Sequence, residues 1–423
     1  MVRARRSGGN FRRAPGPGCA TVRPMLSVAE AEARVFAAVA LLPAEDCPLV
    51  QAHGRVLRQP LAADRDLPPF DRVALDGYAL RHEEWRKGAR RFRVAGLQAA
   101  GVRPRVLPAG RACIEVMTGA VLPEGADTVV PSEDITRNDD SIEVAAESLA
   151  PGQAVHRRGS DHAAGAVIVP PGLRLGGREI AVAAACGYAH LAVTLLPTVA
   201  VVATGDELVD VASTVAPHQI RRSNDYALRA GLASAGYPRV ERYHLRDMRH
   251  EIEHVLWHIL AEYDVVLVTG GVSKGKFDYL PQVLDELGVG KIFQGVAQRP
   301  GKPFWFGLSA RRTPVFALPG NPASSYLCLH RYVLPALDRM SGLAPAVPRT
   351  AILREPAAPL PELTRFLPVR IAPGPHGETQ AVPAPLNTSG DFAGLTGTDG
   401  FVELPPAAAD LPAGSAVRFQ PWV

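Results

Sequence analysis

Between residues 198 and 341, runs typical of strands alternate regularly with longer amphipathic segments, and this alternation restricts the folds open to the chain. The strand-like runs lie at residues 199–203, 240–245, 265–269 and 315–318. The segments between them predict helices at residues 225–235, 250–263, 279–287 and 323–340. Strands that alternate with helices form parallel sheets covered on both faces. We therefore predict a three-layer α/β domain whose ligands lie beyond the carboxyl ends of its strands.

The rest of the chain divides into regions with different patterns. Residues 1–24 are rich in Arg, Gly and Pro and lack the apolar residues that offset the entropy of ordering, which predicts disorder. Ser27 and Glu30 form a capping box that predicts a helix over residues 28–42. The predicted regions are an arm at 1–24, a helical linker domain at 25–63 and 158–196, an inserted small β domain at 64–157, the α/β domain at 197–345 and a C-terminal β-barrel-like domain at 346–423.

The composition argues against several classes of function. The formal charge is +4, but the arginines of the arm all precede the first acid, Glu30, so the body is near neutral. We therefore expect no nucleic-acid binding, which needs a basic face on the folded body. No apolar run approaches the ~20 residues of a membrane-spanning helix. The five cysteines are widely spaced without a C-x-x-C pair, which favours reduced thiols in a cytoplasmic protein.

Two motifs with glycine and acidic residues follow predicted strands of the α/β domain. The first is Thr204-Gly205-Asp206-Glu207, which puts two carboxylates at a strand end. The second is Thr269 to Gly275, whose glycines let backbone N–H groups approach an anion, and Asp278 follows before a helix. Each motif could equally be a structural turn, with Asp278 as a helix cap.

Two further motifs carry cations or polar groups. Arg299-Pro300-Gly301-Lys302-Pro303 places two cations around a Pro-Gly turn, where they can converge on one oxyanion. Leu318-Pro319-Gly320-Asn321-Pro322-Ala323-Ser324 runs from a strand into a helix and offers free N–H groups and a hydroxyl. A solvated basic loop and a simple strand-to-helix connection are the structural alternatives. In the predicted inserted domain, Leu75-Asp76-Gly77-Tyr78-Ala79 is consistent with either a site or an ordinary Asp-Gly turn.

Taken together, the motifs resemble the molybdopterin molybdenumtransferase family, which includes the E domain of gephyrin. The resemblance runs from about residue 25 to residue 423 and also includes Met117-Thr118-Gly119-Ala120, Pro123 to Asp127 and Gly159-Ser160-Asp161. It implies a four-part subunit that forms a homodimer, with a cleft between the α/β domain of one subunit and the inserted domain of the other. It also implies that adenylylated molybdopterin and molybdate react, with a divalent cation, to give AMP and the molybdenum cofactor.

The resemblance assigns roles to particular residues. Glu207, Asp247 and Asp278 are expected to hold Mg²⁺ on the pyrophosphate of adenylylated molybdopterin, because hard cations prefer oxygen ligands. The residues expected to bind pterin and phosphates are Gly270, Gly271, Ser273 and Ser324. The residues expected to bind molybdate are Arg299, Lys302, Arg365 and Ser389, the last two by resemblance alone. Pro303 is expected to be a cofactor-binding residue. Asp76, Thr118 and Asp161 are expected to complete the catalytic cleft with Asp247, and Asp76 and Thr118 to come from the partner subunit.

Two other functions are compatible with the same fold. One is a scaffold of the gephyrin type that clusters a partner protein, although no long linker or fused domain is present. The other is a nucleotide pyrophosphatase of the competence-damage type, against which the inserted domain and Pro300–Pro303 argue. For the transferase we expect transient contacts with the molybdopterin adenylyltransferase and with molybdoenzymes, and none with a membrane. Arg299 stands where many relatives of the family carry Lys.

Overall fold

The computed structural model describes residues 25–271 and 279–423. The predicted disorder of residues 1–24 and the predicted sites Ser273 and Asp278 therefore lie outside the described residues. The chain forms two compact units. The first contains the described residues up to Val39 together with Pro197–Leu337 and Ala346–Val423. The second contains Ala40–Leu196 and Asp338–Pro345.

The first unit contains a mixed six-stranded sheet. Its strands, in spatial order, are Val240–Leu245, Val199–Thr204, Val265–Thr269, Pro314–Leu318, Trp305–Leu308 and Gly290–Gln294. The first four are parallel, as the sequence predicts. The last two are antiparallel and were not predicted. Only a short turn separates Leu308 from Pro314, and a parallel connection would need a crossover of a dozen residues or more.

The first unit also contains helices. Their bounds are Val28–Ala38, Asn224–Ser234, Arg249–Glu262, Leu280–Glu286, Pro322–Cys328 and Leu334–Met340. The predicted capping box is present, since Ser27 Oγ accepts from the Glu30 N–H and the Glu30 carboxylate accepts from the Ser27 N–H. This helix was predicted to continue to residue 42 within the linker domain, but it ends at Ala38 and belongs to the first unit. The helix Arg249–Glu262 buries one apolar face against the sheet.

The predicted helix at 323–340 is interrupted by a wider turn. Between Pro322–Cys328 and Leu334–Met340, the segment Leu329–Val333 is π-helical and buried. Pro335 has no N–H to donate to the carbonyl group four residues earlier, which accounts for a change in the hydrogen-bond pattern here. The wider turn determines which buried groups His330, Arg331 and Tyr332 reach.

The C-terminal part of the first unit is a closed five-stranded barrel. Its strands are Arg349–Leu353, Thr364–Pro373, Thr379–Pro383, Gly400–Leu404 and Ala416–Pro421. Closure comes from the pairing of Thr364–Pro373 with both Thr379–Pro383 and Gly400–Leu404. Val369, Val402 and Phe419 contribute to its buried core. The two-residue strand Gln298–Arg299 extends this sheet in parallel, with Arg299 opposite Arg365. The same unit has the short pair Leu208–Val209 and Ile220–Arg221, and the 3₁₀ turn Ala393–Leu395.

The second unit is built around an antiparallel-rich sheet within the predicted inserted β domain. In spatial order the strands are Thr128–Pro131, Gly77–Leu80, Ala112–Val116, Arg91–Gln98, Ser141–Val144 and Ile135–Asn138. Three strand pairs accompany it: Ala44–Pro48 with His190–Thr194, Leu61–Ala62 with Val167–Val169, and Arg72–Val73 with Val155–His156. The helices are His82–Arg86 and Gly177–Ala185, with 3₁₀ turns Leu49–Gln51 and Ser132–Asp134.

None of the helices in the described residues is long and apolar enough to span a membrane.

Candidate active site

Glycine loops bring the ends of neighbouring parallel strands into close contact. Thr269 lies opposite Ala203 on one side and Leu318 on the other, so the motifs after these strands meet at one edge. Gly270 has φ +98°, and a Cβ on it would lie 2.6 Å from the Thr204 carbonyl oxygen. Only glycine fits there without strain. The structure thus places Gly270 and Gly271, both predicted to bind phosphate, at the carboxyl edge of the sheet, where such ligands bind.

Asn224 links two of these loops and was not predicted from the sequence. Its Nδ2 donates to Thr269 Oγ1 at 2.9 Å and to the Gly320 carbonyl oxygen at 2.7 Å. Asn224 opens the helix Asn224–Ser234, directly beyond the carboxyl ends of the strands. A polar residue at the start of a helix beside a sheet edge was the available signal. Asn224 therefore fixes the spacing between the Gly270 loop and the Gly320 loop.

A cavity of about 520 Å³ lies between the sheet of the first unit and the C-terminal barrel. We call it the cation cavity. Six residues that were predicted to bind substrate line it: Arg299, Lys302, Pro303, Ser324, Arg365 and Ser389. They come from four separate stretches of the sequence, and the structure brings them together. Apolar residues that include Leu360, Leu363, Phe366 and Leu386 form much of the remaining wall.

The cations of this cavity lie close together, and none of them has an acidic partner among the described residues. Arg299 and Arg365 face each other as Cα partners in a short parallel ladder, and Lys302 follows on the adjacent turn. Within residues 25–271 and 279–423, no carboxylate forms an ion pair with any of the three. Arg365 Nη1 donates to the Ala358 carbonyl oxygen at 2.5 Å, which orients the guanidinium. Like charges held side by side repel one another, so this arrangement favours a bound anion.

Hydrogen bonds join the Gly320–Ser324 loop to the barrel loop that carries Ser389. Asn321 Nδ2 donates to Ser389 Oγ at 2.7 Å, and the Ala323 N–H donates to the Ser389 carbonyl oxygen at 3.2 Å. Ser324 is buried at the cavity wall, only 2% exposed. Asn321 belongs to a motif that the sequence analysis identified, but its contact with Ser389 was not predicted. This contact holds a hydroxyl from the barrel at the edge of the cation cavity.

Acidic residues gather at the ends of two neighbouring strands, in a group that we call the carboxylate corner: Asp206, Glu207 and Asp247. The Asp247 N–H donates to Asp206 Oδ1 at 3.1 Å. Glu207 is exposed, and its carboxylate folds back over Gly205. Exposed carboxylate oxygens are the donors that Mg²⁺ prefers, so the chemistry of this corner fits the ion. Within the described residues, no group of three His, Cys, Asp or Glu side chains is arranged to hold a metal, and the predicted third ligand, Asp278, lies outside them.

The predicted site residues of the second unit form two separate contacts. Asp76 Oδ1 accepts hydrogen bonds from the Thr118 hydroxyl and the Thr118 N–H, both at 2.7 Å. These bonds lower the pKa of Asp76, the hydroxyl contributing most. Asp161 Oδ1 instead lies 2.9 Å from His156 Nε2, and in the described part of the chain no hydrogen bond joins Asp161 to Asp76 or Thr118. The structure therefore brings Asp76 and Thr118 together and places Asp161 beside a histidine.

Comparison with known families gives matches along nearly the whole described chain. Residues 26–187 match the MoeA N-terminal region (domains I and II). Residues 200–339 match a probable molybdopterin binding domain. Residues 350–422 match the MoeA C-terminal region (domain IV).

Individual proteins show the same similarity. A molybdopterin molybdenumtransferase from Synechocystis is 40% identical over 373 residues, which cover 88% of this chain and 93% of the relative. A molybdopterin molybdenumtransferase from Staphylococcus epidermidis is 30% identical over 404 residues, which cover 93% of this chain and 95% of the relative. Two crystal structures of the molybdopterin biosynthesis protein MoeA from Pyrococcus superpose with TM-scores of 0.78 and 0.80, at 30% and 26% identity. Each superposition covers 94% of this chain. The first covers 99% of the Pyrococcus chain, and the second covers 100%.

Proposed function

Because this chain belongs to the MoeA family of molybdopterin molybdenumtransferases, we propose how its cation cavity serves that reaction. The chain is a transferase of molybdenum cofactor biosynthesis that acts on molybdopterin and molybdate. The finer proposal is that the molybdopterin arrives adenylylated and that AMP leaves as molybdenum is inserted. The observation that carries it is the convergence of Arg299, Lys302 and Arg365 on one cavity, where no carboxylate of the described residues pairs with them.

The charge and shape of molybdate match what these residues offer. Molybdate is a tetrahedral dianion, so it needs converging donors and positive charge in a partly dry site. Arg299 and Arg365 supply guanidinium donors from paired strands, and Lys302 supplies an ammonium from the following turn. Ser389 supplies a hydroxyl that Asn321 orients. These groups would bind the oxyanion and hold it next to the dithiolene sulfurs of molybdopterin.

The phosphates of adenylylated molybdopterin would bind at the glycine loops. Gly270 and Gly271 both have positive φ, a backbone conformation that can present N–H groups to an anion. Asn224 keeps that loop beside Gly320, whose motif runs on into Ser324 on the wall of the cation cavity. Ser273 is proposed to continue the phosphate loop. The pyrophosphate would thus lie near molybdate, which is what a coupled release of AMP requires.

The carboxylate corner would hold the divalent cation. Glu207 and Asp247 lie at neighbouring strand ends, and we propose that Asp278 joins them. When bound, Mg²⁺ would offset the charge that builds on the departing AMP phosphate. Glu207, exposed over the Gly205 turn, is accessible to such an ion.

The active enzyme is proposed to be a cytoplasmic homodimer, in which Asp76 and Thr118 of the partner subunit complete the cleft. Because the pKa of Asp76 is lowered, this carboxylate stays ionised and can accept hydrogen bonds from the pterin. Asp161 would contribute beside His156. Transient contacts with the molybdopterin adenylyltransferase and with molybdoenzymes would deliver the substrate and receive the product.

The decisive experiment is turnover of adenylylated molybdopterin with and without molybdate. We expect AMP release that requires molybdate, saturates with it and accompanies formation of a cofactor able to activate a molybdoenzyme. AMP release at full rate without molybdate would instead indicate a nucleotide pyrophosphatase. Capture of a partner protein without any turnover would indicate a scaffold.

A further inference from the structure

A fully buried amide lies directly before the cation-bearing turn of the cation cavity. The Gln298 side chain is 0% exposed. Its Oε1 accepts a hydrogen bond from the Tyr332 hydroxyl at 2.5 Å, and its Nε2 donates to the Gly301 carbonyl oxygen at 3.1 Å. Nε2 also lies 3.6 Å from Cys328 Sγ. Burying an amide is costly unless its hydrogen bonds are made, and here both of its ends have partners.

The partner hydroxyl depends on the π-helical segment Leu329–Val333. Tyr332 is 1% exposed, and its ring stacks on Phe304 with centroids 4.7 Å apart. Burial raises the pKa of Tyr332, so the hydroxyl remains a protonated donor. The ring and the helix around it are both packed, which leaves Tyr332 little freedom to turn away. Tyr332 thus holds the Oε1 end of the Gln298 amide, while the Nε2 end faces the turn.

The Gln298 amide in turn determines where the turn can lie. Gly301 has φ +94°, and a Cβ on it would lie only 2.6 Å from Gln298 Nε2. The amide therefore packs against the Gly301 backbone as well as bonding to its carbonyl oxygen. Gln298 also pairs with Thr364 through the backbone, and this ladder sets Arg299 opposite Arg365. One residue thereby fixes both the turn and its register on the barrel.

We propose that Gln298 and Tyr332 are positioning residues for the oxyanion and act through the Arg299–Lys302 turn. They hold Arg299 and Lys302 in the orientation that binds a tetrahedral dianion beside Arg365. Long cationic side chains lose rotamer freedom on binding, and a fixed turn reduces what remains to be ordered. This inference rests on the proposed placement of molybdate in the cation cavity.

The test compares Tyr332→Phe and Gln298→Met with the unchanged enzyme. Each variant keeps the buried volume approximately and removes one side of the hydrogen-bond network. We expect the molybdate concentration for half-maximal AMP release to rise about fivefold to tenfold, in line with the loss of a buried hydrogen bond. The rate at saturating molybdate should change less than about twofold, because the cations can still reach the bound anion. The double variant should lose little more than Gln298→Met alone, because the two groups act through one contact.

A matched control removes a different tyrosine hydroxyl from the same unit. Tyr263 donates to Glu241 at 2.6 Å and contacts the Tyr243 hydroxyl, away from the cation cavity. Tyr263→Phe should leave the molybdate response unchanged. Melting temperatures of all variants show whether the fold persists, and calorimetric titration with molybdate alone measures the anion site without turnover. If Gln298→Met does not fold, Tyr332→Phe alone tests the positioning role.

Lys302→Ala separates the two proposals. If it raises the half-saturating molybdate concentration while Tyr332→Phe and Gln298→Met do not, the positioning role is wrong and the molybdate placement stands. If Lys302→Ala also leaves the concentration unchanged, the placement is wrong and the positioning role fails with it. A lower maximal rate at an unchanged half-saturating concentration would show that Gln298 and Tyr332 support the fold only.

Discussion

The cation cavity and the carboxylate corner lie in the same unit but are constructed differently. In the cation cavity, Arg299 and Arg365 are fixed by backbone pairing, and a buried amide supports the turn between Arg299 and Lys302. In the carboxylate corner, Glu207 is exposed and the Asp247 N–H bonds to Asp206. The difference would suit the two ligands that we propose. An oxyanion needs preorganised donors, whereas Mg²⁺ keeps several waters and needs only one or two carboxylates.

The largest effect is expected in the cation cavity. Lys302→Ala should raise the molybdate concentration for half-maximal AMP release about tenfold to a hundredfold, the effect of losing a charged hydrogen bond of ~1.5–3 kcal/mol. Arg299→Ala should act similarly, whereas Arg299→Lys keeps the charge and should cost about threefold. Lys291→Ala, at an exposed lysine of the edge strand, is the control and should have no effect.

Binding of adenylylated molybdopterin should change much less in these variants, since the glycine loops are proposed to hold its phosphates. If Lys302→Ala abolishes nucleotide binding and leaves the molybdate response intact, the anion at this turn is a phosphate. The proposed assignment of molybdate to the cation cavity would then be wrong.

An intermediate effect is expected at the carboxylate corner. Glu207→Gln and Asp278→Asn should each lower turnover about tenfold at limiting Mg²⁺ and less at high Mg²⁺, because a charged ligand is lost. The melting temperature should not fall for Glu207→Gln, since this side chain is exposed. Asp210→Asn is the control, because Asp210 pairs with Arg222 outside the corner. Normal turnover of both site variants at limiting Mg²⁺ would identify Glu207 and Asp278 as structural residues.

The smallest effect is expected from Thr118→Val in the second unit. The Thr118 hydroxyl lowers the pKa of Asp76, so its removal should raise that pKa towards its usual value. Asp76 would then lose its charge at a higher pH as the solution is acidified, and the acid limb of the activity profile should move to higher pH. Thr118→Ser keeps a hydroxyl and should restore the original limb. An unchanged limb in Thr118→Val would exclude ionised Asp76 from the reaction.

Much of the fold of the first unit could be predicted because its signals are local. Strands 240–245 and 265–269 were predicted at the bounds that the structure has, and Gly270 marks the turn that backbone contact with Thr204 requires. The two antiparallel strands of this sheet were missed. Trp305–Leu308 and Gly290–Gln294 are short and lie close to motifs that were interpreted as loops. The pairing partner of such a strand depends on contacts distant in the sequence.

In the cation cavity, too, only some of the residues could be predicted from the sequence. Arg299 and Lys302 could be selected from one turn, but Arg365 and Ser389 were assigned only through family resemblance. Gln298 was missed because a single glutamine beside a basic turn has no sequence signature. Its partner Tyr332 is reached only because the helix widens at Leu329–Val333, and helical periodicity does not predict this change. Residues that support a site through other residues are the hardest to infer from the sequence.

The ladder between Gln298–Arg299 and Thr364–Pro373 has a consequence for biosynthesis of the protein. Arg299 and Lys302 leave the ribosome before the barrel strand that carries Arg365, and Ser389 follows later still. Domains generally fold in the order of synthesis, so the sheet can form while the cavity still lacks its second wall. Until residues 364–389 emerge, the two cations of the turn have neither a fixed register nor the opposing guanidinium. The nascent chain can thus fold most of its α/β domain well before residues 364–389 complete the cation cavity.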